Sequence, residues 1–441
     1  MKITSSYGVE LRKQNIPIRQ TLDVYRSAVS YLTEIYAQVW EELERIPETK
    51  KRFNEAEHLI HTTKKNQARF SFDLHFPKMP SYLRRAAIQH ALGSVSSYKT
   101  RLGLWKKTSQ IEGKPRLVYE SHAMPAFYRD VMYREDEAGK DAAYLKLYDG
   151  HDWKWFRVWL SHTDMEYLRK NWAGKKASAP TLEKRRRKYF LRFSYTEDVI
   201  LTKTPIKEQI ICSVDLGINT DAVCTIMRSD GTVLGRKFIN FPSEKDRMYR
   251  VLGRIKRFQR EHGSAQAKSR WAYAKRLNIE LGRKIAGAVI KYAKENYADV
   301  IVFEYLETKG KISGRKKQKL HLWRKQDIQK CCEHQAHRNR MRISRICAWN
   351  TSRLAYDGTG TVTRDPGNHS LCVFQTGKRY NCDLSASYNI GARYFIRELL
   401  KPLPVTERSL LEAKVPAVKR RTSCVYADLR KLSSEMNLRA A

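Results

Sequence analysis

Two short, largely apolar runs, each ending in a carboxylate, constrain the fold of this chain more than any other feature. Residues 210–214 are followed by Asp215, and residues 300–303 are followed by Glu304. Runs of this length and composition are typical of buried strands. A carboxylate at the end of such a run is costly to remove from water unless something pairs with it. We therefore expect two buried strands whose terminal acids have a partner.

A third acid, Asp383, stands at the head of a predicted helix in the segment "CDLSASYNIGARY". Leu384, Tyr388, Phe395 and Leu399 follow at helical spacing and predict one apolar face. An aspartate at this position is also a good N-cap. Taken singly, each of the three acids has an ordinary explanation as a turn, a strand end or a cap. Together, in the order Asp, Glu, Asp, they favour a shared site.

The charge of the chain indicates a polyanionic partner. Its 441 residues include 85 Lys and Arg against 46 Asp and Glu, a net charge of +39. Such an excess repels itself, and nucleic acid is the leading candidate to neutralise it. We find no long apolar segment or lipidation signal that would favour a membrane partner. No apolar signal core follows Met1, which predicts a cytoplasmic protein.

The acids and the charge together predict a metal-dependent nuclease. Cutting a phosphodiester with two divalent ions needs three or four converging carboxylates. Hard oxygen ligands of this kind select Mg²⁺ or Mn²⁺. We predict that Asp215, Glu304 and Asp383 are both the catalytic residues and the metal ligands. The eight cysteines are scattered without a C-x-x-C pair, so their spacing does not support a four-cysteine zinc site.

Two basic segments are predicted to contact nucleic acid. One is the run in "EKRRRKYF" before a predicted strand, and the other is a predicted helix at residues 82–105 with interleaved basic and aromatic side chains. Runs of charged residues usually form solvated surface. Because this basic run stands directly before a predicted strand in a strongly basic chain, contact with phosphate is favoured. For the helix, an ordinary solvated basic face explains the pattern equally well. The predicted contacts are Lys184, Arg185, Arg186, Arg187, Lys188, Arg84, Arg85, Lys99 and Arg101.

The order of the predicted elements indicates a mixed α/β sheet of ribonuclease-H type in the second half of the chain. Three strands in succession are predicted from residue 209, then a long basic helical region at 243–296 and the buried strand ending in acids. A basic helix at 320–340 and a strand at 341–352 follow. The first half reads as an extended segment to residue 17, then helices, then a region rich in aromatic and β-branched residues from about residue 110.

Three segments resemble known motifs: "VDLGINTDAV", "VIVFEYLE" and "CDLSASYNIGAR" are similar to the three RuvC motifs of TnpB nucleases and miniature type V CRISPR effectors. The third motif of that family typically reads Asp-x-Asn-Ala-Ala-x-Asn-Ile, from which Ser385 and Ser387 depart. The resemblance covers about residues 209–400. It implies that Asp215, Glu304 and Asp383 are the catalytic metal ligands of an RNA-guided DNA endonuclease.

The same resemblance implies the binding partners, the cellular location and the oligomeric state. The partners are a guide RNA and a double-stranded DNA target, with a short flanking motif read by the protein itself. It implies a prokaryotic cytoplasmic protein of transposon or CRISPR type, acting as a monomer or homodimer.

The resemblance also implies an α+β multidomain fold: a β-rich wedge domain with a helical recognition insert, then a RuvC domain with a small target-binding insert. The expected wedge comprises 1–17 and 110–208, the recognition domain 18–109, the RuvC domain 209–350 and 381–400, the target-binding insert 351–380, and an unassigned tail 401–441. In the insert, Thr351 and Ser352 match the family but the first cysteine pair is missing, and Gln375 stands three residues after Cys372. We therefore expect this insert to lack structural zinc.

Three alternatives stay open. A catalytically silent RNA-guided DNA-binding protein would have lost one of the acids, and a DDE-like transposase would have the acid order Asp, Asp, Glu. A structural-RNA-binding protein would leave the three acids unexplained.

Overall fold

The computed structural model describes residues 1–12, 15–64, 66–107, 113–119, 122–139, 141–185, 187–263, 265–306, 324–368, 370–420 and 422–440. The chain divides into two compact units. We call Thr4–Glu197 the N-terminal unit, and Met1–Ile3 with Asp198–Ala441 the C-terminal unit. Of the helices that the structure describes, none has the length and hydropathy needed to cross a membrane.

The N-terminal unit is built from helices and two small antiparallel sheets. The elements are β1 (Lys2–Glu10), α1 (Ile18–Gln38), α2 (Trp40–Glu44), α3 (Thr49–His58), α4 (Phe72–His75), α5 (Ser81–Lys107), β2 (Tyr133–Glu135), β3 (Ala142–Tyr148), β4 (Trp153–Trp159), α6 (His162–Asn171), β5 (Thr181–Arg185) and β6 (Lys188–Asp198). The strand orders are β1-β6-β5 and β2-β3-β4. Helices α1 and α5 pack together, and Leu22, Tyr25 and Tyr36 of α1 are buried.

The C-terminal unit is built around a five-stranded mixed sheet. The elements are β7 (Ile210–Asp215), β8 (Ala222–Arg228), β9 (Val233–Ile239), α7 (Pro242–His262), α8 (Lys268–Glu295), β10 (Val300–Tyr305), α9 (Lys325–Arg338), β11 (Arg342–Cys347), β12 (Thr363–Arg364), β13 (Leu371–Val373), β14 (Arg379–Asn381), α10 (Cys382–Leu400), α11 (Val405–Lys414) and α12 (Tyr426–Ala440). The strand order of the sheet is β11-β10-β7-β8-β9. β10 runs parallel to β7 and β11, whereas β7, β8 and β9 are antiparallel neighbours.

The inner strands β7, β8 and β10 are covered on both faces, which explains why they read as largely continuous apolar runs. One face packs against α10, and the other packs against α8 and α9. Helix α10 lies very close to the sheet, because a Cβ at Gly391 would be only 3.1 Å from Ser213 Oγ and from Met227 Sδ. This close approach fixes the height of α10 above the strands.

The structure confirms a mixed α/β fold with several sheets and corrects two predicted segments. The helical region 243–296 is two helices, because α7 ends at His262, before Gly263. The strand predicted at 341–352 ends at Cys347. The tail after residue 400, which we could not assign, contains α11 and α12, and α12 packs against α10.

Replacing Phe395 by Ala should destabilise the C-terminal unit by about 3–5 kcal/mol, because this fully buried ring fills the core between α10 and the sheet. Hydrogen exchange of the β7 and β8 amides measures the effect. The control is Phe238→Ala on β9, whose side chain is 49% exposed and should cost less than about 0.5 kcal/mol. Equal losses in both variants would contradict the packing described here.

Candidate active site

Strand register and the alternation of side chains bring Asp215 and Glu304 together. β7 and β10 are parallel neighbours, with Val214 opposite Phe303, so their carboxyl ends meet at one edge of the sheet. Alternate residues of a strand share a face. Asp215 and Glu304 therefore lie on the face of Ile211 and Val302, which pack under α10. Asp383, in the first turn of α10, reaches the same place.

The Asp215 carboxyl is in the least favourable electrostatic position of the three. Burial raises its pKa well above the usual value, and the neighbouring charges of Glu304 and Asp383 raise it further. Arg364, on β12, opposes this effect. Within the residues that the structure describes, no hydrogen bond to the Asp215 carboxylate offsets its burial. The structure therefore places Asp215 beside two acids that repel its charge, at one end of the sheet.

Glu304 is better supported than Asp215. Burial raises its pKa, while the Thr351 hydroxyl, which donates to Glu304 Oε1, and the charges of Arg393 and Lys325 lower it. Gln329, on α9, donates from Nε2 to the Glu304 backbone carbonyl at 2.8 Å. These contacts fix both the main chain and the carboxylate of this residue.

Asp383 does not cap its helix, which corrects one sequence-based interpretation. Helix α10 begins at Cys382, and the side chain of Asn381 is the cap, accepting from the Leu384 N–H at 2.9 Å. The Asp383 carboxylate is thus not used as a cap. Burial raises its pKa, and Arg364 and a hydrogen bond from Thr220 lower it.

The turn after β7 is shaped so that Asp383 can approach. A Cβ at Gly217 would lie 2.5 Å from the Thr220 backbone oxygen and 3.7 Å from Asp383 Oδ2. A side chain at this position would displace the turn that carries Thr220. The sequence "DLGIN" therefore places a glycine where the backbone and the third acid meet.

The donor set suits a divalent cation. Asp215, Glu304 and Asp383 offer hard oxygen atoms, and a cation would relieve the repulsion among them. Among the residues that the structure describes, no three His, Cys, Asp or Glu side chains are assembled closely enough to form a complete metal site. The acids interact through their charges, and bringing their oxygens onto one ion would require a further approach.

Asn389 is a residue of the site that sequence reasoning did not single out. Its Nδ2 donates to the carbonyls of Thr351 and Leu354, each at 2.9 Å, and its Oδ1 accepts from Tyr426 N at 3.0 Å. It thereby holds the segment whose Thr351 hydroxyl contacts Glu304. The available signals were the position of Asn389 in the third motif and the Thr351-Ser352 dipeptide.

An aromatic cluster holds the segment predicted as a target-binding insert. Its three short strands are ordered β12-β13-β14. Lys378 Nζ lies 5.0 Å from the Tyr356 ring centre and 5.3 Å from that of Tyr380. Cys372 and Cys382 are buried in the same small core. The rings in contact are Tyr356, Phe374, Tyr380, Tyr388 and Tyr426.

Among the basic residues predicted on α5 to contact nucleic acid, Arg84 requires a correction. Its side chain is buried, 3.7 Å from Glu57 and 3.5 Å from Asp73, so its charge serves internal pairing. Arg85 is exposed but lies 3.6 Å from the same Glu57. Arg101 is exposed, and Lys99 is partly exposed.

The basic run does not simply precede a strand, because Lys184 and Arg185 end β5 and Lys188 begins β6, its antiparallel partner. Two of its members are paired with acids, since Arg185 lies 2.8 Å from Glu183 and Lys188 lies 2.6 Å from Glu10. Lys184 is exposed and stands over the Tyr189 ring, and Arg187 is exposed. Arg186 lies outside the described residues.

Comparison with known proteins gives only distant similarity. The model of the Aq_aa04 family matches residues 5–149. No curated protein matches the sequence.

Three solved structures illustrate the structural similarity. A Cas12f1–sgRNA–target DNA complex is 14% identical over 77% of this chain and 73% of that chain, with a TM-score of 0.45. C2c1 of Alicyclobacillus acidoterrestris with single-guide RNA is 10% identical over 86% and 66%, with a TM-score of 0.45. CasPhi-2 (Cas12j) bound to crRNA and phosphorothioate-DNA is 10% identical over 87% and 90%, with a TM-score of 0.47. TM-scores below 0.5 are too low to assign a function to this chain.

Replacing Asp215 by Asn should stabilise the protein in EDTA at about pH 8, because it removes a buried charge repelled by two others. The raised pKa means that folded protein holds this proton more tightly than unfolded protein, so the contribution of Asp215 to stability falls as pH rises. The advantage of the variant should therefore shrink towards about pH 5. Thermal unfolding across this pH range measures it.

The control for this prediction is Asp230→Asn, on the β8–β9 turn. The Asp230 carboxylate accepts hydrogen bonds from the Thr232 N–H and hydroxyl, each at 2.8 Å. Removing its charge should lower stability. A loss of stability in Asp215→Asn at high pH would contradict the electrostatic description of the site.

Proposed function

We propose that this protein is an RNA-guided DNA endonuclease of RuvC type, which hydrolyses phosphodiester bonds with Mg²⁺ or Mn²⁺ held by Asp215, Glu304 and Asp383. The observation that carries the proposal is the convergence of three acids from β7, β10 and α10, with Asp215 buried against the other two. These residues are far apart in sequence, and a merely structural role would not require Asp215 to be buried beside two acids that repel its charge. The resemblance of the three motifs to RuvC motifs supports the same chemistry.

In this proposal, different structural contacts position each of the three acids. Two ions held by these acids would supply an activated water and would stabilise the leaving oxygen. Asp215 would gain most from a bound ion, because both other acids repel its charge. Glu304 is positioned by the Thr351 hydroxyl, and Asp383 is positioned by the first turn of α10 and by Thr220. Rigid elements thus hold all three carboxylates, as a catalytic site requires.

The charge of the chain supports the nucleic-acid part of the proposal. A net charge of +39 suits a protein that holds a guide RNA and the backbone of a guide–target duplex. Base pairing with the guide supplies sequence specificity, and the protein reads a short flanking motif in double-stranded DNA. Transposon and CRISPR origins both fit this chemistry, and the RNA that co-purifies with the protein would distinguish them.

Alanine substitution at Asp215, Glu304 or Asp383 should each lower the rate of guided DNA cleavage by at least about 10³-fold, because the site loses a metal ligand. The protein is purified with its co-purifying RNA and offered DNA that matches that RNA, in Mg²⁺. Guide RNA binding should be unchanged, since the acids bind metal and not the RNA scaffold. Cleavage of a labelled duplex and the amount of retained RNA are the two measurements.

The matched control is Glu280→Ala on α8, an exposed acid of the same unit, which should cut like the unmodified protein. Full cleavage by all three site variants would show that these acids are not the catalytic metal ligands. Cleavage that needs no RNA would instead overturn the guided part of the proposal.

Mg²⁺ should stabilise the RNA-free protein by about 2.7 kcal/mol when present at one hundred times its Kd, because it binds the folded state alone. Asp215→Ala should lose most of this gain, whereas Glu280→Ala should keep it. Thermal unfolding with and without Mg²⁺ gives the difference. The same gain in the wild type and in Asp215→Ala would place the ion elsewhere.

A further inference from the structure

A cavity of about 770 Å³ lies beside Glu304 at the open edge of the five-stranded sheet. We call it the edge cavity. Its walls come from β11, from the second half of α10, and from the segment after α10 that the sequence left unassigned. Tyr305 and Cys347, which are partners in the β10–β11 register, line it, and Ile346 beside them is the register partner of Glu304.

The edge cavity carries a net positive charge. Its lining includes Arg345, Arg393, Arg397, Lys401, Arg408 and Lys419, with Glu398 as its acid. Three of the arginines are paired with carboxylates: Arg345 with Glu333, Arg397 with Glu398 and Arg408 with Glu412, at 2.7–2.8 Å.

Lys401, Lys419 and Arg393 remain without an ion pair among the described residues. Both lysines are exposed at the surface. Arg393 is buried, donating to the carbonyls of Cys347, Trp349, Thr422 and Cys424, and its charge acts on Glu304. Its positive charge is therefore shared between the edge cavity and Glu304.

Tyr305 adds an aromatic surface to this charge. It directly follows Glu304, and its side chain is 54% exposed although it lines a cavity. Exposed rings beside a basic groove are the combination by which proteins hold single-stranded nucleic acid, because bases stack on the ring while cations neutralise phosphates. The edge cavity offers both an exposed ring and basic side chains.

We propose that the edge cavity binds one or two nucleotides of a single nucleic-acid strand. Phosphates lie against Lys401 and Lys419, and a base stacks on Tyr305. The volume is in the range of pockets for small organic ligands, about 300–1,000 Å³, which admits a few nucleotides but not a duplex. The inference deepens the proposed nuclease function and rests on it for naming nucleic acid as the ligand.

Cys347 gives a readout of occupancy that does not depend on cleavage. It is the exposed cysteine of the eight, and it lines the edge cavity. In EDTA, a short single-stranded oligothymidylate should slow its alkylation by iodoacetamide, measured by mass spectrometry of the peptide. With the oligonucleotide at about ten times its Kd, the rate should fall about tenfold, because reactivity follows the unbound fraction.

Variants locate the contact. Replacing Lys401 and Lys419 together by Ala should reduce the slope of log affinity against log salt by about 1.4, the loss expected for two phosphate contacts with a single strand. Tyr305→Ala should weaken protection of Cys347 about tenfold, and Tyr305→Phe, which keeps the ring, should not. The charge-matched control replaces Lys291 and Lys294 by Ala on α8, away from the edge cavity, and should leave protection unchanged.

Two results would overturn the inference. One is an alkylation rate of Cys347 that is the same with and without the oligonucleotide, and the other is the same protection in the wild type and in the variant lacking Lys401 and Lys419. Equal protection by thymidine monophosphate would indicate a free nucleotide as the ligand and would overturn the assignment to a strand. If the oligonucleotide protects Cys347 but the protein does not cleave guided DNA, the nuclease function is wrong and the cavity assignment stands. If the protein cleaves but Cys347 is not protected, the nuclease function stands and the cavity assignment is wrong.

Discussion

The burial of Asp215 against Glu304 and Asp383 is the interaction on which the C-terminal unit depends. Burial and like charge both disfavour the ionised carboxyl at this position. A fold selected for stability alone would place an uncharged residue at the end of β7. The surrounding residues can be understood as the structure needed to hold these three carboxylates together.

Helix α10 provides most of that structure. Its apolar residues pack on the sheet, and Gly391 allows the close contact that brings Asp383 to the ends of β7 and β10. Its polar residues point to main-chain carbonyls on both sides. Asn389 holds the segment of Thr351, and Arg393 joins the end of β11 to residues 422–424. One helix therefore positions an acid, supports a second acid through Thr351, and fixes the C-terminal segment that closes the edge cavity.

Hydrophobic patterning along the sequence predicted those strands and helices that depend on the residues of one short segment. The strands β7, β8, β9 and β10 and the helix α10 follow from apolar runs and from helical spacing, and the structure has all five. The roles of side chains that depend on a contact with another residue were predicted less well. Arg84 looks like a surface base in sequence, but Glu57 and Asp73 pair with it inside the fold. Asp383 looks like a cap, but Asn381, two residues earlier, takes that place.

The sequence by itself determined that the chain carries a large positive charge, that two buried strands end in acids, and that a third acid begins an apolar helix, because composition and periodicity are properties of the chain alone. Only the tertiary structure decided that Asp215 is the acid most strongly disfavoured, that Thr351 and Asn389 support the site, that an aromatic cluster holds the segment around Tyr356, and that the C-terminal segment completes a basic cavity. The physical reason is that burial, repulsion and hydrogen bonding act between residues that folding brings together from distant parts of the sequence.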